Sequence, residues 1–222
     1  MIAAIHLTNF KCFSQLDLEA RPLTLLCGLN GMGKSSVIQT LLVLRQSFLS
    51  GELLDGRLVL GGDLADLGTG SDILHENAYE DVIAFGLESA DGIRPWNLAF
   101  DYARSADELA AQPRRHHRPP SHVPMPWRSR PPFGGSFAYV NAERIGPRKM
   151  HVLSETRSRS SDLGARGEYA LNYLMSHAAD RFQDGDARAR AKTSARLSDE
   201  VDYWLQEVTP GAHLQLGPVD KA

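Results

Sequence analysis

Gly28-Leu29-Asn30-Gly31-Met32-Gly33-Lys34-Ser35 follows the pattern G-x-x-x-x-G-K-S. Glycines at that spacing let the backbone take φ values closed to other residues and keep side chains out of a ligand's path. Successive amides can then converge on one concavity, a nest for phosphate oxygens. A helix opening near Lys34 adds unpaired amides and the positive end of its dipole. In that arrangement Lys34 reaches the β- and γ-phosphates of a nucleoside triphosphate, and the Ser35 hydroxyl ligates Mg²⁺. Ser36 supplies a further hydrogen bond to the α-phosphate region. The expected binding residues are Asn30, Gly31, Met32, Gly33, Lys34, Ser35 and Ser36, with Ser35 the metal ligand and ATP and Mg²⁺ the cofactors. The plain alternative is a glycine-rich turn that only caps a helix.

The flanking elements decide between these. Leu23-Thr24-Leu25-Leu26-Cys27 is an apolar run of strand length, with Cys27 ending an expected buried strand. Ser36 to Phe48 holds no Gly or Pro and reads as a buried helix. Strand, glycine turn and helix is the context the motif requires. Ahead of it, Ile2 to Leu7 reads as a strand, and Gln15 to Glu19 alternates as a half-exposed strand does. Two antiparallel strands before a phosphate-binding strand are unlike a simple doubly wound fold, where the turn follows the first strand.

The opening Asn9-Phe10-Lys11-Cys12-Phe13, followed by Gly28-Leu29-Asn30-Gly31-Met32-Gly33-Lys34-Ser35-Ser36, resembles the ABC-type ATPases of the SMC, RecF and OLD group. Asn30 and Ser36 match the group's G-x-N-G-x-G-K-S-S form. Tyr139 to Arg148 and Leu163 to Tyr169 resemble segments of a bacterial branch of predicted ATPases. The resemblance implies an α/β P-loop fold of ABC type: an N-terminal lobe with a mixed sheet, an antiparallel β-subdomain and flanking helices. It also implies nucleotide-dependent homodimerisation and an action on DNA, in repair or phage defence.

The division expected is 1–112 for the nucleotide-binding lobe, 113–135 for a Pro/Arg-rich loop, and 136–222 for a continuation with C-terminal helices. Val82 to Glu88 and Trp96 to Tyr102 read as a hairpin across Asp91-Gly92. Gly61 to Asp72 is rich in Gly and Asp and reads as tight turns; the resemblance would let an Asp or Thr there approach a metal. Pro113 to Gly135 carries Arg114, Arg115, Arg118, Arg128 and Arg130, three histidines, many prolines and no acid. It reads as a mobile loop without a core, either a solvated connector or a DNA contact with Trp127 stacking on a base. Phe137 to Val140 is an expected strand, but Asn141-Ala142-Glu143 lacks the Asp of a Walker B motif. Gly167 to Ala178 reads as a helix. So does Asp199 to Val208, capped by Ser198, with Val201, Trp204, Leu205 and Val208 on one buried face. Leu214 to Leu216 begins a further strand.

Hydrophobic residues make up 42% of the 222, and the net charge is −3. That balance excludes bulk attraction to nucleic acid, though not a local basic patch. Cys12 and Cys27 are the only cysteines, which suits a reducing cytoplasm. No signal peptide or apolar run of membrane-spanning length is visible. A Walker B Asp–Glu pair, a switch His and a signature loop are not identifiable. The expected partners are therefore ATP and a C-terminal ATPase lobe, in cis or in trans. A P-loop kinase and a non-catalytic nucleotide-binding module are the competing classes.

Overall fold

The computed structural model describes residues 1–112, 122–134, 137–143, 163–182, 190 and 196–216. The chain divides into two units, Met1–Phe137 and Ala138–Ala222.

In the first unit, β1 (Ile2–Phe10) and β2 (Phe13–Glu19) form a hairpin closed by Lys11 and Cys12. Asn9 and Lys11 lie in the left-handed region, at φ 53° and 52°. Non-glycine residues hold that conformation only under outside restraint. Here the Asn9 amide side chain donates to the Val82 carbonyl at 3.0 Å, and the Lys11 amide donates to the Ile73 carbonyl at 2.7 Å.

β4 (Val82–Ser89) pairs with the other edge of β1, and β5 (Trp96–Asp101) pairs with β4, giving the order β2-β1-β4-β5. A second, two-stranded sheet joins β3 (Arg57–Val59) to β6 (Glu108–Ala110). Every pairing between these strands is antiparallel. The expected mixed sheet is thus not found among the described residues, and Leu23–Cys27, the strand expected to feed the glycine turn, pairs with no strand. It is exposed apart from Leu26, which is half-buried, and Cys27, expected to end a buried strand, is exposed too.

The inner face of the larger sheet carries Ile5, Leu7, Ile83, Phe85, Leu87, Leu98 and Phe100, all buried. The helix α1 (Lys34–Leu49) contributes Val37, Val43 and Leu44 to the same core. Its C-terminal half is tied down by polar side chains. Gln46 donates to the Val59 and Ala65 carbonyls at 3.0 and 2.9 Å and accepts from the Ala65 amide at 2.9 Å. Buried Ser47 accepts from the Val59 amide at 2.9 Å. A short helix α2 (Gly70–Ile73) opens on a capping box between Thr69 and Asp72.

The stretch 122–134 corrects the expectation of a coreless mobile loop. Val123, Trp127 and Phe133 are 0, 2 and 1% exposed. The short helix α3 (Met125–Arg128) carries Trp127. Phe133 packs edge-on to Trp96 and Trp127, with centroids 5.1 and 6.3 Å apart. The Trp127 indole donates to the Arg94 carbonyl at 3.1 Å, and the Trp96 indole to the His122 carbonyl at 2.8 Å. Arg130 pairs with Asp91 at 2.6 Å. Aromatic burial outweighs the proline-rich composition. Arg114, Arg115 and Arg118 lie outside the described residues.

Among the described residues of the second unit, α4 (Ala170–His177) and α5 (Leu197–Val208) are the helices. The N-cap of α5 is Arg196, not Ser198. The expected buried face is not formed: Trp204 is 49% and Val208 80% exposed, while Glu200 is buried. Neither 137–140 nor 214–216 is a strand. The Asn141 amide instead donates to the Ala165 carbonyl at 2.6 Å.

Candidate functional site

The glycine turn sits at the N-terminus of α1, exposed from Gly28 to Met32. Gly31 and Gly33 take φ of 82° and 84°, Gly33 being the N-cap. Gly33 is required twice over, by conformation and by space. A Cβ there would lie 2.5 Å from the Cys12 Sγ and 2.7 Å from the Phe13 Cε2, closer than any side chain tolerates. Gly28 and Gly31 face open space. The β1–β2 hairpin is thus stacked against the turn, which sequence reasoning did not foresee.

Lys34 folds back over the turn. Its Nζ donates to the Gly28 carbonyl at 2.8 Å and to the Leu29 carbonyl at 2.6 Å. As the first helical residues, Lys34, Ser35 and Ser36 have no intrahelical acceptor for their amides. The Val37 amide is the first to be satisfied, on the Gly33 carbonyl at 3.1 Å. Ser35 is exposed. Ser36 is buried, and its carbonyl accepts from the Thr40 hydroxyl at 3.0 Å. A mouth of free amides beside an ammonium fits a polyphosphate.

Lys11 is the second cation next to this turn. It is half-buried and donates from Nζ to the Gln39 side chain at 2.9 Å. Burial pulls the Lys11 ammonium below its ordinary value, and Asp72 and Cys12 oppose that shift. Asp72 itself lies below the usual carboxylate range, chiefly through the Thr69 amide and hydroxyl, with Lys11 a smaller cause. Its carboxylate accepts those two bonds at 2.7 and 2.9 Å. Asp66 accepts from the Gly68 amide at 3.3 Å. The Gly/Asp stretch therefore spends Asp66, Thr69 and Asp72 on turns and caps. The signal for Lys11 was the two-residue connection between strands whose apolar patterns face one another.

Among the described residues, no group of three or more His, Cys, Asp or Glu converges as a metal would require. A Mg²⁺ ion here would take its protein contact from the Ser35 hydroxyl and the rest from phosphate and water, the usual habit of that ion. Trp127 is buried, so it cannot serve as a base-stacking platform. Arg128 donates to the Val123 carbonyl at 3.1 Å, and Arg130 is held by Asp91. No helix among the described residues is long and apolar enough to cross a membrane.

Comparison with protein families places residues 1–90 on the AAA ATPase domain. The matched stretch runs from β1 through the glycine turn and α1 to the end of β4. The chain is thus similar over that stretch to an ATP-binding domain, with the nucleotide chemistry that such a domain implies. Comparison with curated proteins and with solved structures gave no match.

Proposed function

We propose that this chain is the ATP-binding N-terminal portion of an ABC-type ATPase of the SMC, RecF and OLD-like group. Asn30, Gly31, Met32, Gly33, Lys34, Ser35 and Ser36 hold the phosphates, and the Ser35 hydroxyl would ligate Mg²⁺. One observation carries this reading: the Lys34 ammonium rests on the Gly28 and Leu29 carbonyls, beside a helix start whose first amides lack an intrahelical acceptor. A phosphate arriving there exchanges those two carbonyls for charged oxygens, which bind an ammonium more strongly. The bound magnesium would spread the charge of the phosphates; Ser35 orients it, and the amides of Lys34, Ser35 and Ser36 hold the phosphate oxygens.

Hydrolysis needs more than this grip. A base or water-positioning group must sit beside the terminal phosphate. The reading assigns that group to a completing C-terminal lobe, in cis or in trans. Nucleotide-dependent dimerisation and a role on DNA follow from the resemblance alone; Trp127, Arg128 and Arg130 lend it no support because all three are used internally. The antiparallel sheets weigh against a kinase, whose core would be parallel. A non-catalytic nucleotide module would show no stimulation when the completing lobe is added.

Titration of the chain with a fluorescent ATP analogue and Mg²⁺ tests the site. Weak binding that Lys34→Ala removes is expected, with negligible turnover. Equal binding by the variant would overturn the site. Turnover by the chain alone that Lys34→Ala abolishes would overturn the assignment of the base to another lobe.

A further inference from the structure

The four strands β1, β2, β4 and β5 contain no lysine or arginine. Their carboxylates, Asp17, Glu19, Glu88 and Asp101, all stand on one face of the sheet. Strand alternation and register set them opposite to the buried Ile5, Leu7, Phe85 and Phe100. This is the face turned away from the core that α1 joins.

The register puts Asp17, His6, Gly86 and Asn97 in one row across it, and Thr8, Ala84 and Ala99 in the next. His6 and Asn97 close over Gly86, where a Cβ would meet both side chains. Beside them, Thr8, Ala84 and Ala99 line a trough of about 270 Å³. A solvated sheet face presents polar residues outward. Here the two central strands, β1 and β4, present Ala4, Thr8, Ala84 and Gly86 around His6, and the charge stands at the rim. His6 lies between two of the acids, with Nδ1 2.6 Å from Asp17 and Nε2 3.3 Å from Glu88. Gln112 donates to Asp101 at 2.8 Å, and Arg21 reaches Glu19 at 3.2 Å. Among the described residues, Arg21 is the only lysine or arginine within ion-pair distance of these four carboxylates.

Charge of one sign around a shallow trough concentrates ligands of the opposite sign, and it turns away nucleic acid and anionic lipid. Arginine and lysine fit both parts of the face. Their aliphatic stems lie on small apolar side chains while their heads reach a charged rim. Val82, opposite Asp101, and Glu88 stand near the two ends of β4, roughly 20 Å apart at about 3.3 Å per residue. One free amine cannot meet both ends; an extended segment with several cations can.

We propose that the outer face of the β2-β1-β4-β5 sheet is the docking surface for an extended arginine- or lysine-bearing segment of a partner protein. Its cationic heads pair with Asp17 and Glu88 at one end and with Asp101 at the other, and a side-chain stem lies over Ala84 and Ala99. The surface is independent of the nucleotide reading, since none of its residues belongs to the glycine turn or α1.

The test uses the 222-residue chain and, as probe, a capped peptide alternating arginine and threonine over about eight residues, long enough for the span. Binding is followed by calorimetry and by amide shifts in NMR. Shifts centred on Ala84, Gly86 and Ala99 are expected. Asp17→Asn combined with Glu88→Gln should weaken binding about tenfold or more. Glu76→Gln combined with Glu80→Gln removes the same charge from another exposed stretch; it should change binding by less than about twofold, because separated exposed charges are screened. Ala99→Leu, which fills the trough without altering charge, should also weaken binding. No binding, or equal loss in the two charge variants, would overturn the face. Spermidine producing the same shifts at equal affinity would overturn a protein segment as the occupant. Binding that appears only after Arg114, Arg115 and Arg118 are replaced by glutamine would assign the face to the chain's own arginines and overturn the partner.

Discussion

The Lys11 ammonium donates to the Gln39 side-chain carbonyl at 2.9 Å, joining the turn of the first hairpin to the second turn of α1. Together with the stacking of Cys12 and Phe13 on Gly33, it holds the glycine turn from one side. Gln39→Leu would leave a half-buried ammonium without its acceptor. The expected loss is about 1.5–3 kcal/mol, the range for hydrogen bonds to charged groups, measured by urea unfolding. Adding Lys11→Met should recover part of that loss, because an apolar pair leaves nothing unsatisfied.

Gly33→Ala should cost roughly 1–2 kcal/mol for the left-handed backbone alone, and more for the overlap with Phe13 and Cys12. The overlap is separable. In a double-mutant cycle with Phe13→Ala, the pair should be less destabilised than the sum of the single changes. Strict additivity would mean that the hairpin does not press on the turn.

Trp127 should behave as a core residue. Trp127→Ala is expected to destabilise the first unit by roughly 3–5 kcal/mol, read by denaturant unfolding. In a Trp96→Phe, Trp204→Phe background, its fluorescence should resist acrylamide and stay unchanged on adding single-stranded DNA. An exposed, DNA-sensitive signal would contradict the packing against Phe133.

Asp91 couples the same segment to the hairpin between β4 and β5. The Ser89 hydroxyl first, and then the Arg130 guanidinium, hold its carboxyl down at about 2, against 3.8 ordinarily. A carboxylate depressed in the folded state stabilises above its unfolded value, and the gain disappears as protons bind the native form. The contribution should therefore be complete above pH 3.8 and fade as the pH falls toward about 2. Asp91→Asn should remove that part of the acid dependence. In Arg130→Gln, the Asp91 titration followed by NMR should move upward yet stay below 3.8, because Ser89 remains.

The legible parts of the chain were those set by near neighbours. The β4–β5 hairpin followed from alternation around Asp91-Gly92, and α1 from a run free of Gly and Pro. Leu23–Cys27 has the residues of a strand, but strand formation needs a partner backbone that local pattern cannot supply. Val123, Trp127 and Phe133 were hidden by the prolines and arginines around them; composition averages a segment, whereas burial acts on single side chains. Trp204 failed in the opposite sense: its spacing on α5 is amphipathic, yet among the described residues it stays half-exposed. Of the site, the glycine spacing and Lys34 were readable, while the press of Phe13 on Gly33 is a contact between distant parts of one surface.

Because β1 pairs with β2 on one edge and with β4 on the other, residues 20–81 form a single excursion leaving and re-entering one ribbon. The return limb is moored early, by Gln46 and Ser47 to Val59 and Ala65. Slack is thereby concentrated between Ala20 and Met32, the longest portion of that excursion without sheet pairing or helix. Any rearrangement on ligand arrival is channelled into that short tether, with the remainder of the unit serving as an anvil.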